Sequence, residues 1–299
     1  MAAPLSNALI LFNNHFTGHR RHYPYRTRLA IAADLGYDGY EFHPIEPDND
    51  PEWSEAAGAL RASGLRRSGM YVVAKGITDD EAAEFESHVA RLQRIIRRLA
   101  EIKPKPFLNL TISSNPSPGS SAFHEAGSAR AEARHWRRAA DLVAAADREL
   151  LRHGMEGNLY NHVWFMLDTP QAILRTLELA GARAIRPGVA TFHAHFHQGA
   201  PDVSELLDAP GMERLGYVAL LNAWPAPAPF RTVHLDEGQI DIAAWLAHLR
   251  RRHYAGPLVL QAYDLGGDPY VSAQRSIAYV RAVWERLARN PSLDPWQSI

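Results

Sequence analysis

Side chains able to move protons or hold ligands crowd the places where short apolar runs of this chain end. His193, His195 and His197 alternate along Thr191-Phe-His-Ala-His-Phe-His-Gln198, so on a continuing strand the three rings share one face. His162 and His43 follow the ends of neighbouring runs, and His15 with His19 follows the first. Imidazole exchanges protons near neutral pH and ligates Zn2+, Ni2+, Fe or Cu. Two readings stand side by side. His193, His195 and His162 build a transition-metal centre, or one or two of them line a polar pocket while the others cap loops or face solvent.

Glu41 is the one carboxylate that the strand pattern puts at such an end. It can act as a general base, or pair with His43 or His195 to orient a substrate hydroxyl, or serve as a structural acceptor for neighbouring strand ends. Tyr160, Asn161, His162, Asn222, Trp224, Gln261 and Tyr263, with His43 and His193, complete a candidate binding surface of phenols, amides, imidazoles and an indole. Such a surface reads hydroxyl-rich or planar ligands by hydrogen bonds and stacking, with little charge. Arg231 and His234 either meet an anionic group or remain solvated on a loop. Asp168 reads as punctuation before the next helix.

The elements that must position these groups follow from alternation. Apolar runs of strand length, 8–12, 37–42, 67–74, 107–112, 155–161, 188–192, 217–222 and 258–262, alternate with stretches of helical period. The clearest of those are 80–102, 129–153, 169–180, 240–252 and 270–287. Repeated strand-helix pairs imply βαβ units and a parallel sheet, and eight of them imply a (β/α)8 barrel of the α/β class, a single domain over 1–299. Asp79 and Thr169 stand where helix N-caps are expected. Two long connections, 113–128 and 223–238, leave strand C-terminal ends and are expected over the mouth, where a barrel keeps its chemistry. The first has the composition of a solvated loop as well. The second is stiffened by alternating prolines.

Three segments in this order and spacing resemble the xylose-isomerase-like barrel superfamily, the sugar phosphate isomerase/epimerase group. They are Ala30-Ile-Ala-Ala-Asp-Leu-Gly-Tyr-Asp-Gly-Tyr-Glu-Phe42, His153-Gly154 through Asn161-His162, and Leu235-Asp-Glu-Gly-Gln-Ile-Asp241 with Tyr254-Ala-Gly256. The resemblance implies a divalent metal held by a Glu ending strand five, an Asp ending strand six, a His on strand seven and a Glu ending strand eight. Those positions fall here on Tyr160, on Phe192 or His193, on Ala219 and on Gln261. A hard cation wants anionic oxygens, and Tyr and Gln bring no negative charge at neutral pH. The expectation is therefore no cofactor, with a transition metal on the histidines as the open alternative. The resemblance further implies proton transfer next to a carbonyl, as isomerisation, epimerisation or dehydration. The expected actors are Glu41 as base, His162 or His195 as acid or base, and Tyr160 with Gln261 as donors to an oxyanion. A non-catalytic ligand-binding barrel is the competing reading.

Composition narrows the partners. A chain of 299 residues with 46% hydrophobic residues can bury its own core. A formal charge of -1 gives no electrostatic reason to expect nucleic acid or an acidic membrane. No cysteine is present, so disulfides and thiolate metal sites are excluded. The first residues lack a basic leader, and their apolar run is too short to span a bilayer, so the expected location is cytoplasmic. The expected partner is a small polyol or sugar-like molecule, with self-association as a possibility that only the resemblance raises.

Overall fold

The barrel strands are largely buried on both phases because helices cover their outer face and side chains from the other strands fill the inner one. The computed structural model describes residues 5–18, 23–116, 127–198, 202–225 and 230–294. Eight parallel strands close into a ring: β1 (Leu9–Phe12), β2 (Gly39–Phe42), β3 (Arg67–Ala74), β4 (Phe107–Ile112), β5 (Gly157–Tyr160), β6 (Ile185–Ala190), β7 (Tyr217–Leu220) and β10 (Leu258–Leu260), the last pairing with β1. The connecting helices are α1 (Tyr25–Asp34), α2 (Asp50–Ser63), α3 (Phe85–Glu101), α4 (Ala133–His153), α5 (Pro170–Ala180), α6 (Thr191–Gln198), α7 (Val203–Leu207), α8 (Ile242–Arg251) and α9 (Pro269–Arg289). The expected single-domain (β/α)8 barrel is therefore what the chain forms.

Two apolar clusters result. The larger lies between strands and helices, and the smaller, which includes Ile10, Phe107, Tyr160, Tyr217 and Val259, fills the barrel interior. Glycine makes room for both. A Cβ on Gly39 would sit 1.9 Å from the Arg67 carbonyl oxygen, and one on Gly69 would sit 2.3 Å from the Phe107 ring, so only glycine permits this approach of β2 to β3 and of β3 to Phe107.

Several sequence expectations need correction. The run 188–192 is not a strand into the histidines: β6 starts at Ile185 and ends at Ala190, and Thr191–Gln198 is helix α6. Thr191 turns the chain there, its hydroxyl donating to the Leu221 carbonyl at 2.9 Å and accepting from Leu221 N at 3.0 Å. Thr169 caps α5 as expected, accepting from Ala172 N. Asp79 caps nothing: the helix proper starts at Phe85, and Asp79 instead binds Arg134 and Arg138. The run 217–222 is divided, since Asn222–Trp224 (β8) leaves the barrel and pairs antiparallel with Arg231–Val233 (β9). The 223–238 connection is thus a hairpin, of which 226–229 lie outside the described residues. Most of the 113–128 connection, 117–126, also lies outside them, as does His19.

Candidate active site

Where the strands end, a cavity of about 310 Å3 opens at the mouth. Its volume falls at the small end of the range for ligand pockets. Tyr71 and Tyr160 rise from β3 and β5, Gln261 follows β10, and His43 and His162 follow β2 and β5. His193 reaches it from α6, and Phe230 and Thr232 come down from the hairpin. Among the described residues, none that lines it is Asp, Glu, Lys or Arg.

The imidazoles have defined states. His162 Nδ1 lies 2.8 Å from the Val163 carbonyl oxygen. A carbonyl only accepts, so Nδ1 carries the proton and Nε2 keeps the lone pair. Burial pushes the His162 pKa down to about 4 against a small opposing effect of that bond, so the ring is neutral near pH 7. The His162 ring stacks on Phe165 at 4.0 Å and meets His193 at 3.9 Å between centroids. His193 is also held well below the usual value, by burial first and by His162 second, and its Nδ1 has no hydrogen-bond partner.

The phenols are equally uncharged. Burial, then the proximity of Tyr71, pushes Tyr160 well above the usual phenol value, while the Gln261 amide facing its hydroxyl acts in the other direction. Tyr71 is raised by burial and then by Glu41. Tyr71, Tyr160 and Tyr217 form an edge-to-face series with centroids 5.7 and 5.8 Å apart. Trp164 holds the left-handed backbone at φ 65° and stacks on Phe230 at 5.7 Å, tying the β5 loop to the hairpin. A bulky residue in that region costs of order 1–3 kcal/mol and is found mainly where surrounding contacts impose it.

The predicted site residues divide clearly. Tyr160, His162, His43, His193, Gln261 and Tyr263 come together around the cavity. Glu41 does not: it is 0% exposed and lies inside the barrel, accepting from the Tyr217 hydroxyl at 2.8 Å. Burial pushes its carboxyl up to about 8, against the Tyr217 bond and the nearby Asn109 amide. That amide approaches without closing a bond, because Glu41 Oε1 and both Asn109 side-chain atoms are without partners. His195 does not line the cavity either: two residues along a helix turn it to a different side from His193, where its ring packs on Phe196 at 5.0 Å. Asn161 and Asn222 spend their oxygens on structure, at Ala190 N and at Ala223 and Ile240 N respectively. Trp224 is 43% exposed on the hairpin and does not line the cavity. Asp168 is more than punctuation: its buried carboxylate accepts from His197 at 2.9 Å and from Ser128 N at 3.2 Å.

Among the described residues no group of three His, Asp or Glu is placed to hold a metal, the alternative trio His193, His195 and His162 included. The inward residues at the ends of β5 to β7 and just after β10 are Tyr160, Ala190, Ala219 and Gln261, with Ala190 replacing the expected Phe192 or His193 because β6 ends there. Two bring a neutral oxygen and two bring no donor, a set that does not fit a hard divalent cation.

Tyr71, Trp164 and Phe230 also line the cavity, beyond the residues expected from the sequence. Tyr71 was accessible: it shares the inward phase of β3 with Gly69, two residues earlier. Nothing local marks Trp164 or Phe230, which meet only through the fold.

A xylose isomerase-like TIM barrel family model matches residues 29–283. The chain belongs to this family. Among solved structures it is similar to L-ribulose 3-epimerase, at 18% identity and a TM-score of 0.74 over 97% of this chain and 99% of that one. It is similar to the probable 3-DHS dehydratase AsbF from Bacillus anthracis, at 14% identity and 0.67 over 94% and 98%. A third similar structure is a xylose isomerase-like TIM barrel protein from Mycobacterium smegmatis in complex with magnesium, at 14% identity and 0.69 over 96% and 100%. At these identities the likeness is one of fold. No curated protein matches the sequence.

Proposed function

We propose that the chain is an enzyme of the isomerase, epimerase or dehydratase kind that moves a proton next to the carbonyl of a small, uncharged, sugar-like ligand, and does so without a divalent metal. The observation that carries this reading is His162 itself. Its Nδ1 proton is committed to Val163, which leaves the Nε2 lone pair on a ring lining a cavity of neutral hydrogen-bonding groups. His162 accepts the substrate proton, and Tyr71 and Tyr160 donate to the oxygen on which charge develops. Hydroxyls of the ligand are met by Gln261 and Thr232, and its faces by Trp164 and Phe230. Structures similar to this chain include an L-ribulose 3-epimerase and a probable dehydratase, which supports a sugar-like ligand and chemistry of this class. Glu41 enters as a positioning residue beneath the floor, through Tyr217.

The test is solvent exchange. Uncharged ketoses are incubated with the protein in D2O containing EDTA and followed by NMR. Deuterium is expected at the carbon beside the carbonyl, and the His162→Ala variant is expected to lose that exchange. Exchange that needs added Mg2+ or Mn2+ overturns the metal-free reading. A second reading, a binding barrel without turnover, is favoured by the lack of a carboxylate among the described residues that line the cavity. Ligand binding with no exchange at any pH would establish it.

A further inference from the structure

We propose that the opposite end of the barrel, where the strands begin, carries a second ligand site that takes a small hydroxylated anion, a sugar phosphate or a sugar acid. A cavity of about 690 Å3 opens there, larger than the one at the mouth, between the starts of β1, β3, β4 and β5. Five charged side chains line it, and they are not mutually satisfied. Arg66 is paired with Asp38 at 3.5 Å, and Glu156 is paired with Arg186 at 2.6 Å. Arg67 and Lys105 make no ion pair among the described residues. The Arg67 guanidinium lies over the Phe107 ring at 6.0 Å, and the Lys105 ammonium donates only to the His153 carbonyl. Two cations beside one cavity with their counter-charges spent elsewhere favour an anion.

Buried neutral groups add the rest of the recognition. Ser68 lines this cavity and is 1% exposed, and its buried hydroxyl has no hydrogen-bond partner. Buried hydroxyls are seldom left in that state, and rotation of the Ser68 side chain toward the cavity would let an anion oxygen accept from it. Asn7, which also lines the cavity and is 3% exposed, donates through Nδ2 to the carbonyls of Tyr254 and Gly256, both at 2.8 Å. Those two bonds fix its amide, so Oδ1 is an acceptor, and it too has no partner. A bare anion cannot donate to it, whereas a hydroxyl carried by the same ligand can. Chemistry in such barrels belongs to the mouth, so this ligand is a second one and not the substrate of the reaction proposed above.

Calorimetric titration at constant ionic strength tests this with glucose 6-phosphate, gluconate, inorganic phosphate and, as a salt control, sodium chloride. Saturable binding with Kd near or below about 1 mM is expected for a hydroxylated anion. The glucose 6-phosphate and gluconate arms tell a phosphate head from a carboxylate head. Arg67→Ala should weaken binding about tenfold, as should loss of a charge-assisted donor generally, and Ser68→Ala by several-fold. Lys105→Ala, at an exposed position, should weaken it while leaving the fold untouched. His162→Ala, at the mouth, should bind as the unaltered protein does. Absence of saturable binding by any of the anions overturns the proposal, as does unaltered affinity in both Arg67→Ala and Lys105→Ala, or binding abolished by His162→Ala.

Discussion

Replacing Glu41 by Gln should stabilise this protein increasingly as the pH rises. The folded carboxyl titrates at about 8 because burial penalises its charge, against an ordinary value of 4.5. Below pH ~4.5 the group is protonated in both folded and unfolded chains, so it contributes no pH dependence there. Between the two values the unfolded chain has lost the proton and the folded one has kept it. The unfolded state then binds fewer protons, so stability falls by about 1.4 kcal/mol per pH unit and levels off above pH ~8. The interval of some 3.5 units makes the full loss of order 5 kcal/mol. A Gln at this position keeps an oxygen for the Tyr217 hydroxyl and offers its amide to Asn109, but it does not titrate. The assay is thermal unfolding of both proteins from pH 5 to 9. Their midpoints should nearly coincide at pH 5 and separate by roughly 8 °C at pH 8.5, taking about 2 °C per kcal/mol for a chain of this size. The downward shifts of His162 and His15 act on the acid side and are common to both proteins, so they cancel in the difference. A difference that is constant across this range would refute the claim that the barrel interior keeps Glu41 neutral.

Further outcomes follow from the same geometry. Solvent exchange of the ligand should be independent of pH above about 5 and fall as the pH drops through about 4, where His162 gains a proton; a rise of about tenfold between pH 7 and 9 would instead assign the base to Glu41, which is only about one-tenth ionised at pH 7. His162→Ala should lower exchange by about 10² to 10⁴ while preserving ligand binding by calorimetry, the range that general bases contribute. Tyr71→Phe should lower it by roughly 10-fold to 100-fold, with little change in apparent affinity, if its hydroxyl serves the developing charge. Installing the ligand types implied by the family resemblance, Tyr160→Glu with Ala190→Asp, Ala219→His and Gln261→Glu, should create a Mn2+ site measurable by titration, because it adds three carboxylates to one imidazole.

The fold was legible because the eight strands are buried on both faces, which makes them short, continuous apolar runs, and because amphipathic stretches such as Phe85–Glu101 separate them. Tyr160, His162 and Gln261 were legible for the same reason, since the end of a strand predicts which side chains reach the mouth. The error at 191–198 has a definite physical source. Phe192, Ala194 and Phe196 alternate with three histidines, which is the period of a strand, yet residues 191–195 are all buried, so the helix shows no solvent face to betray its own period. For Glu41 the sequence indicates the strand but not the depth: side-chain phase places it inward, and only the packing of Tyr71, Tyr160 and Tyr217 above and around it closes it off from the cavity. Trp164 against Phe230 joins residues 66 apart in sequence, a contact that local pattern does not encode.

The mouth offers neutral groups where a hard cation would need anions. Titration of Mn2+ into EDTA-stripped and dialysed protein, followed by the electron paramagnetic resonance of free Mn2+, tests it most directly. No site tighter than about 1 mM is expected. One equivalent bound with micromolar affinity, and lost on replacing Tyr160 and Gln261 by Phe and Ala, would contradict it.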